Sequence, residues 1–335
     1  MNRFGIHLDQ NHFNFSLPIP DALKVELWFF GIPLNFFESH NDKTTENLPL
    51  LRKYELIKAS TDHEIWQGQF EFPVTVLTAY LVKVFRSDSD GNPITDWILD
   101  PYARNSLGGE FWGKTITFEV DEKLGLLKAC FESEEPLSKT SLIKLKRLAL
   151  LTEMGKVRVE SERFSKKSLG ELVVYECHVR GMTQHHSSGV PVRQRGNFSG
   201  MQQKIKYVSQ LGVDVVELLP IFDFDENENQ LRNPENQQNL KNYWGYSPIL
   251  WFAPKGAYAE NPLNRHQEFK KFVQECHLHK IEVWLDVVYN HSAEQDAKGP
   301  KYHFKMMNKE TWYLHTPQGE LHNASGCGNT LRCGH

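Results

Sequence analysis

The sequence predicts an N-terminal β-sandwich followed by a parallel α/β unit. The first prediction rests on short runs of alternating apolar and polar residues within 1–110. The second rests on the order strand, helix, strand, helix, strand from residue 171 onward. With 335 residues, of which 40% are apolar and 24% charged, the chain has enough length and apolar surface for about two domains.

Residues 1–110 carry the strand signals of the predicted sandwich. Turn-forming residues interrupt these signals at 18–21 and 87–93. The four clearest strands are expected at 13–17, 25–29, 64–70 and 78–85. Three tryptophans are expected in the core of this domain rather than on its surface, namely Trp28, Trp66 and Trp97.

Residues 111–170 have a weaker pattern and predict a linker with some ordered structure. The stretch 123–146 is charged, and it contains an exposed connection at 132–136. The run at 148–159 predicts a strand that leads into the next domain.

Residues 171–335 predict parallel strands joined by helices. Ser199 is a candidate cap for the first helix, which Gly212 ends, and the second helix is expected at about 265–279. Such crossovers fit either an open doubly wound sheet or a (β/α)8 barrel. Because no glycine-rich turn follows the first strand, the dinucleotide-binding form of the doubly wound sheet is disfavoured. Near-continuous apolar runs predict buried strands at 172–179, 213–220 and 281–288.

Charge and hydropathy exclude two classes of partner. The formal net charge is −4 and there is no long basic run, which argues against nucleic acid. No apolar stretch approaches the roughly 20 residues that span a bilayer. The first residues also lack the apolar core of a secretory signal, so a cytoplasmic protein without membrane contact is expected.

The five cysteines do not predict a disulfide framework or a zinc site. They are odd in number and scattered along the chain. The one suggestive cluster lies near the C-terminus, but its two cysteines are too far apart for the usual close pair of zinc ligands. This C-terminal cluster consists of His322, Cys327, Cys333 and His335. We therefore expect reduced cysteines and no bound metal.

Polar side chains follow the predicted strands where ligands bind in parallel α/β folds. The third strand ends in Asp286, followed by Asn290 and His291. The loop after the second strand holds a dense aromatic cluster at 242–248. Exposed aromatic rings in a polar loop suit sugar recognition, because the apolar face of a pyranose stacks on a ring while its hydroxyls take hydrogen bonds.

Each of these residues also has a structural interpretation. Asp286 is compatible with a polar residue that closes the mouth of a barrel and is hydrogen-bonded by backbone groups. His291 is compatible with a histidine that caps a helix or packs in the interior. Three aromatic residues fit the packed core of a loop, namely Tyr243, Trp244 and Tyr246.

A family resemblance favours the functional interpretation. Asp-Val-Val-Tyr-Asn-His at 286–291 resembles the first signature region of the α-amylase superfamily, and Asn-Tyr-Trp-Gly-Tyr at 242–246 resembles its tyrosine loop. The N-terminal strands and residues 98–104 resemble a carbohydrate-binding module, and the likeness covers nearly the whole chain. Three further motifs, in the family's order, narrow the resemblance to bacterial glycogen debranching enzymes of the isoamylase type: 175–183, 217–220 and 326–331.

The resemblance implies a (β/α)8 barrel that hydrolyses α-1,6 branch linkages of glycogen or limit dextrins with retention of configuration. It implies that Tyr246 stacks on the sugar whose bond is cleaved and that His291 binds that sugar's hydroxymethyl oxygen. Asp286 organises the floor of the site, and Tyr243 and Trp244 complete the substrate-binding set. Asn290 matches a calcium-binding position of many amylases that debranching relatives often lack, so neither a metal nor another cofactor is expected.

The resemblance also implies that this chain holds only the N-terminal portion of such an enzyme. A retaining glycosidase needs two carboxyl groups about 5 Å apart, which this family places after barrel strands four and five. We count three strands within 171–335, so the sequence predicts an incomplete (β/α)8 barrel without the catalytic carboxylates, inactive by itself. The remaining acidic residues are expected to be solvated loop charges: Glu294, Asp296, Glu310 and Glu320.

Three functions remain compatible with the sequence. The first is the N-terminal part of a debranching hydrolase, which we favour. The second is an α-glucan-binding protein without catalysis. The third is one subunit of a split enzyme, in which a second chain supplies the rest of the barrel.

Overall fold

A computed structural model gives the architecture of most of the chain. No helix among its described residues is long and apolar enough to cross a membrane. The structure describes residues 4–9, 12–37, 45–60, 62, 64–71, 77–132, 144–151, 167–229 and 231–334.

The described residues form 18 strands and five α-helices. The strands, in chain order, are β1 (Gly5–Asp9), β2 (His12–Pro18), β3 (Lys24–Gly31), β4 (Thr45–Glu55), β5 (Ile57–Lys58), β6 (Ile65–Phe70), β7 (Thr78–Ser87), β8 (Pro93–Ile98), β9 (Ser106–Leu107), β10 (Thr115–Asp121), β11 (Leu126–Glu132), β12 (Lys144–Leu145), β13 (Leu148–Leu151), β14 (Val174–Cys177), β15 (Val215–Leu218), β16 (Phe222–Asp223), β17 (Leu250–Pro254) and β18 (Glu282–Leu285). The helices are α1 (Val179–Thr183), α2 (Phe198–Gln202), α3 (Ile205–Gln210), α4 (Arg265–Leu278) and α5 (Phe304–Trp312).

The N-terminal strands form two antiparallel sheets. One has four strands in the order β1-β2-β6-β5, and the other has nine, in the order β12-β10-β11-β4-β3-β7-β13-β9 with β8 paired to β7. The four strands expected from alternation correspond to β2, β3, β6 and β7, so these predictions are confirmed.

Strand β3 is buried on both faces, which explains its almost uninterrupted apolar sequence. Val25 and Phe29 point into a core shared with the four-stranded sheet, whereas Phe30 points into a second core on the opposite face. The predicted carbohydrate-binding character of this region remains a prediction. The three tryptophans expected in the core are confirmed there, with exposures of 4%, 5% and 5% for Trp28, Trp66 and Trp97.

The segment that the sequence predicts as a linker contributes strands to the nine-stranded sheet. Strand β10 pairs with β11 over seven residues, and β11 pairs with β4. Strand β13 pairs with both β7 and β9, so it belongs to this sheet. The N-terminal sheet therefore extends well past residue 110. Residues 133–143 and 152–166 of the expected linker lie outside the described part, and with them most of the connection predicted at 132–136 and the second half of the strand predicted at 148–159.

The C-terminal part contains a three-stranded parallel sheet in the order β14-β15-β18. Both crossovers pack on the same face of this sheet: Ile205 of α3 and Phe272 of α4 share one core with Val216 and Leu218 of β15. Parallel strands in chain order with both crossovers on one face are compatible with the first strands of a barrel and with one half of a doubly wound sheet.

Two expectations for this part are wrong in detail. Asn197 rather than Ser199 caps the first helix, because its side chain accepts from the Gly200 N–H at 3.0 Å. Ser199 instead donates to Glu268 of α4 at 3.0 Å. The strands are also less buried than expected, because β14 and β18 are the edge strands of a three-stranded sheet: Val174 and Leu285 are 41% and 43% exposed.

A buried ion pair joins the N-terminal sheet to the loop after β15. The Arg147 Nε donates to Asp223 Oδ2 at 2.9 Å, and both side chains are at most 3% exposed. Arg147 also donates to the carbonyls of Gly108 at 2.8 Å and Phe224 at 2.9 Å. Since Asp223 is the last residue of β16, directly before the loop that carries the aromatic cluster, the N-terminal sheet fixes the base of that loop.

Candidate functional site

Tyr246 lies at the carboxyl ends of the parallel strands and is held from two sides. Its hydroxyl donates to Asp286, which directly follows β18. Its backbone carbonyl lies 2.8 Å from His291 Nε2, and His291 Nδ1 lies 2.9 Å from Asn290 Oδ1. We call Tyr246, Asp286 and His291 the tyrosine clamp, because the two other side chains fix the position of the Tyr246 ring.

His291 is only 6% exposed, and both of its ring nitrogens have partners within the protein. Its direct contact with a sugar hydroxyl remains a prediction. In the structure, His291 contacts Tyr246 through the backbone carbonyl oxygen of that residue.

The clamp lies in an acidic environment. Glu176 of β14 and Glu217 of β15 are register partners on neighbouring strands. Burial, the hydrogen bond to Asp286, and the negative charges of Asp286, Glu176 and Glu217 together raise the pKa of Tyr246. The Tyr246 hydroxyl therefore keeps its proton and serves as a donor.

The other two aromatic residues of the loop have different surroundings. Tyr243 stacks on His178 with ring centroids 4.4 Å apart and also contacts Trp112 edge-on at 5.6 Å. Trp244 is 63% exposed and meets the Tyr246 ring edge-on at 6.4 Å. Tyr243 thus anchors the loop, whereas Trp244 projects from it.

His178 fixes the other end of the loop. Its Nδ1 accepts from the Gly181 N–H at 3.0 Å, and its Nε2 donates to the Tyr243 carbonyl at 2.7 Å. Burial lowers the pKa of His178 to about 4. The neutral tautomer with its proton on Nε2 satisfies both contacts.

The aromatic residues border a cleft of about 760 Å³. Its wall combines rings, amides and charged groups, a mixture suited to a polyhydroxylated ligand with apolar ring faces. Within it, Glu228 accepts from Asn242 at 2.7 Å and from Ser247 at 2.8 Å. We call this the aromatic cleft, lined by Glu228, Asn229, Lys241, Asn242, Tyr243, Trp244, Tyr246 and Gln295.

Burial also raises the pKa of Glu228, against the opposing effect of its hydrogen bonds from Ser247 and Asn242. Sequence reasoning did not identify Glu228 or Gln295 as site residues. Both lie outside the strand ends, in long loops whose path the sequence pattern does not reveal.

Glu294, expected to be a solvated loop charge, is completely buried, so this expectation is wrong. Its carboxylate accepts from the backbone N–H groups of Tyr302 at 2.7 Å, His303 at 2.9 Å and Lys305 at 2.9 Å. It also accepts from the Tyr313 hydroxyl at 2.6 Å. Four protein donors satisfy the carboxylate, and three of them tie residues 302–305 to Glu294 in a compact loop.

No metal centre is assembled within the described part of the chain. No group of three or more histidine, cysteine, aspartate or glutamate side chains there is placed to hold a metal ion. All five cysteines are free thiols.

A comparison with known families assigns the part of the chain that contains the parallel strands and the site at their ends. The alpha amylase, catalytic domain, family matches residues 161–330, which is half of this chain. The chain therefore belongs to the α-amylase family.

Within that family, curated relatives carry more specific names. Isoamylase 1, chloroplastic, of Arabidopsis thaliana is 39% identical over 181 residues, covering 52% of this chain and 23% of the relative. The glycogen debranching enzyme of Klebsiella pneumoniae (strain 342) is 40% identical over 168 residues, covering 50% of this chain and 25% of the relative. The matched part of this chain thus spans about a quarter of these relatives.

Solved pullulanases share the fold. A pullulanase from Paenibacillus barengoltzii, solved in complex with maltotetraose, superposes with a TM-score of 0.70 at 19% identity, covering 100% of this chain and 44% of that chain. A Group B Streptococcus pullulanase gives a TM-score of 0.68 at 23% identity, covering 98% of this chain and 38% of that one. At these identities the likeness shows the fold alone.

Proposed function

We propose that this chain carries the α-glucan-binding side of the active site of an α-1,6-glucan hydrolase. The tyrosine clamp is the observation that carries this proposal, because it presents a fixed aromatic ring at the strand ends. The substrate class is supported by the names of the relatives, isoamylase and glycogen debranching enzyme, and by the pullulanase solved with maltotetraose.

In this proposal Tyr246 is the stacking surface for a glucose ring. Asp286 holds the hydroxyl end of Tyr246 and His291 its backbone, so little rotamer freedom is lost when a sugar binds. Trp244 adds a second, exposed aromatic surface at the edge of the same cleft. Amide and carboxylate groups of the wall then hydrogen-bond the sugar hydroxyls.

We further propose that the chain binds glucan without cleaving it. A retaining glycosidase requires one carboxyl group as nucleophile and a second as acid/base. Asp286 is engaged by Tyr246, and Glu228 is engaged by Asn242 and Ser247. Glu176 and Glu217 also lie near Tyr246. If the chain did cleave glucan, we would expect these two carboxylates to act as the catalytic pair.

Calorimetric titration of the 335-residue chain with maltotetraose tests the binding proposal. We expect saturable binding that Trp244→Ala weakens about tenfold, since an aromatic stacking contact contributes about 1.4 kcal/mol. Tyr207→Ala is the matched control, because Tyr207 is 56% exposed on α3 and lies outside the aromatic cleft. Equal affinities for the wild type and Trp244→Ala would contradict the proposal.

Incubation with glycogen tests whether the chain cleaves what it binds. We expect no release of linear chains. Release that Glu217→Gln abolishes would assign catalysis to the pair Glu176 and Glu217 and overturn the binding-only proposal. Release that appears only when a separate chain is added would instead support a split enzyme.

A further inference from the structure

The segment 294–300 wraps around the ammonium group of Lys305. The Nζ atom donates to the backbone carbonyls of Glu294 and Asp296. It lies 3.3 Å from the carbonyl oxygen of Gly299 and 3.4 Å from that of Pro300. Four main-chain oxygens of one short segment therefore surround a single positive charge, and we call this arrangement the carbonyl cage.

The shape of the cage is built into the segment. Asp296 Oδ1 accepts from the N–H groups of Lys298 at 2.9 Å and Gly299 at 3.0 Å, which turns the chain sharply. Glycine is required at 299, because a Cβ there would collide with the Glu294 carbonyl. The carbonyls consequently converge on one point instead of facing solvent.

Such convergence is unfavourable unless a cation lies at its centre. Four carbonyl dipoles aimed at one point repel one another, and rings of carbonyl oxygens are the ligands that replace the hydration shell of K⁺ in selective channels. An ammonium group supplies the same charge with three donor hydrogens. Lys305 thus places a covalently attached cation where a free one would otherwise be needed.

The cage also fixes part of the aromatic cleft. Gln295 lies in the caged segment and lines the cleft beside Tyr246. The backbone on its other side is held by Asn329, whose side-chain amide donates to the carbonyls of Ser292 at 3.0 Å and Gln295 at 2.9 Å. Lys305 and Asn329 together determine where Gln295 lies.

We propose that Lys305 is a positioning residue that acts as a tethered cation, and that the carbonyl cage binds free K⁺ once the ammonium group is removed. The cage holds residues 294–300 in the conformation that places Gln295 in the aromatic cleft. The consequence for glucan affinity rests on the function proposed above, whereas the cation site itself does not. The four ligands of the cage are neutral carbonyl oxygens, which favour a monovalent over a divalent ion, and the nearby carboxylates of Glu294 and Asp296 act on the cation only through space.

The test compares Lys305→Met and Lys305→Gln with the wild type in KCl and in choline chloride at equal ionic strength. Lys298→Met is the matched control, because Lys298 is an exposed lysine of the same segment. We expect the thermal midpoints of both Lys305 variants to be higher in KCl than in choline chloride. The wild type and Lys298→Met should show the same midpoint in both salts.

Maltotetraose affinity provides the second measurement. We expect Lys305→Met to bind about tenfold more weakly than the wild type in choline chloride and to regain most of that affinity in KCl. A change that merely destabilises the fold would not be reversed by one particular cation.

Failure of the cation site and failure of the proposed function give different results. Lys305 variants whose midpoints respond equally to KCl and choline chloride would overturn the cage proposal, whatever the glucan data show. If Lys305→Met does not fold in either salt, Lys305→Gln decides, since its shorter side chain removes the cation from the cage while remaining polar. A wild type that binds no maltotetraose would overturn the proposed function, while the stability comparison would still test the cage.

Discussion

Replacing Arg147 with methionine leaves the Asp223 carboxylate buried without its cation. Asp223 is 0% exposed, and its remaining side-chain partner is the Ser106 hydroxyl at 2.8 Å. The Asp223 Oδ1 atom already lacks a hydrogen-bond partner in the structure. Removal of one partner from a buried ion pair costs about 3–5 kcal/mol, because the other charge stays desolvated. We therefore expect Arg147→Met to lower the free energy of unfolding by about that amount.

Equilibrium unfolding in urea, followed by tryptophan fluorescence and circular dichroism, measures this loss. The double variant Arg147→Met/Asp223→Leu should be more stable than the sum of the two single changes predicts, because it removes both charges. Lys128→Met is a suitable control, since Lys128 and Asp121 form a partly exposed pair at 3.8 Å and its loss should cost under about 0.5 kcal/mol. A loss below about 1 kcal/mol for Arg147→Met, or strict additivity of the two changes, would refute the reasoning.

Two further predictions concern the site loop. Tyr246→Ala removes the stacking ring and should lower maltotetraose affinity about tenfold. Tyr246→Phe keeps the ring and loses only the hydrogen bond to Asp286, so it should lower the affinity less. Equal losses of affinity for the two variants would contradict a stacking role. Burial lowers the pKa of His178 from 6.5 to about 4 on folding. Between these pH values the unfolded chain binds a proton at His178 that the folded chain does not bind. The free energy of unfolding should therefore fall as the pH is lowered from about 6.5 to about 4. Urea unfolding across this range should show a shallower pH dependence for His178→Asn than for the wild type and for the exposed control His186→Asn; parallel curves for all three would show that His178 does not carry the effect.

The sequence predicts those strands of the N-terminal part whose burial follows a simple period. Strands β2 and β6 alternate or nearly alternate because one face of each lies on a core. The strands between 115 and 151 could not be recognised in the same way. Strand β11 pairs with β4, which lies roughly 80 residues earlier in the chain. Local sequence patterns carry no information about such distant pairings.

The candidate site is predictable where it follows the rule that ligands bind beyond strand ends. That rule identifies Asp286 and His291, and the aromatic loop supplies Tyr246. It does not identify Gln295 or the burial of Glu294. Glu294 is buried because residues 302–313 fold back and donate to it, which no local signal in 292–298 predicts.

The three aromatic residues of the loop show the same limit. The sequence leaves a packed loop core and a sugar-binding surface as alternatives for all three. The structure divides them, since Tyr243 stacks on His178 while Trp244 projects from the loop. Only the position of His178 at the end of β14 makes this distinction, and it depends on the fold of the whole sheet.

A crystal structure of the 335-residue chain grown with maltotetraose tests the central proposal most directly. We predict a glucose ring stacked on Tyr246 within the aromatic cleft, beside Trp244 and Gln295, with the tyrosine clamp unchanged. Maltotetraose bound elsewhere on the chain, with the aromatic cleft free of sugar, would contradict it.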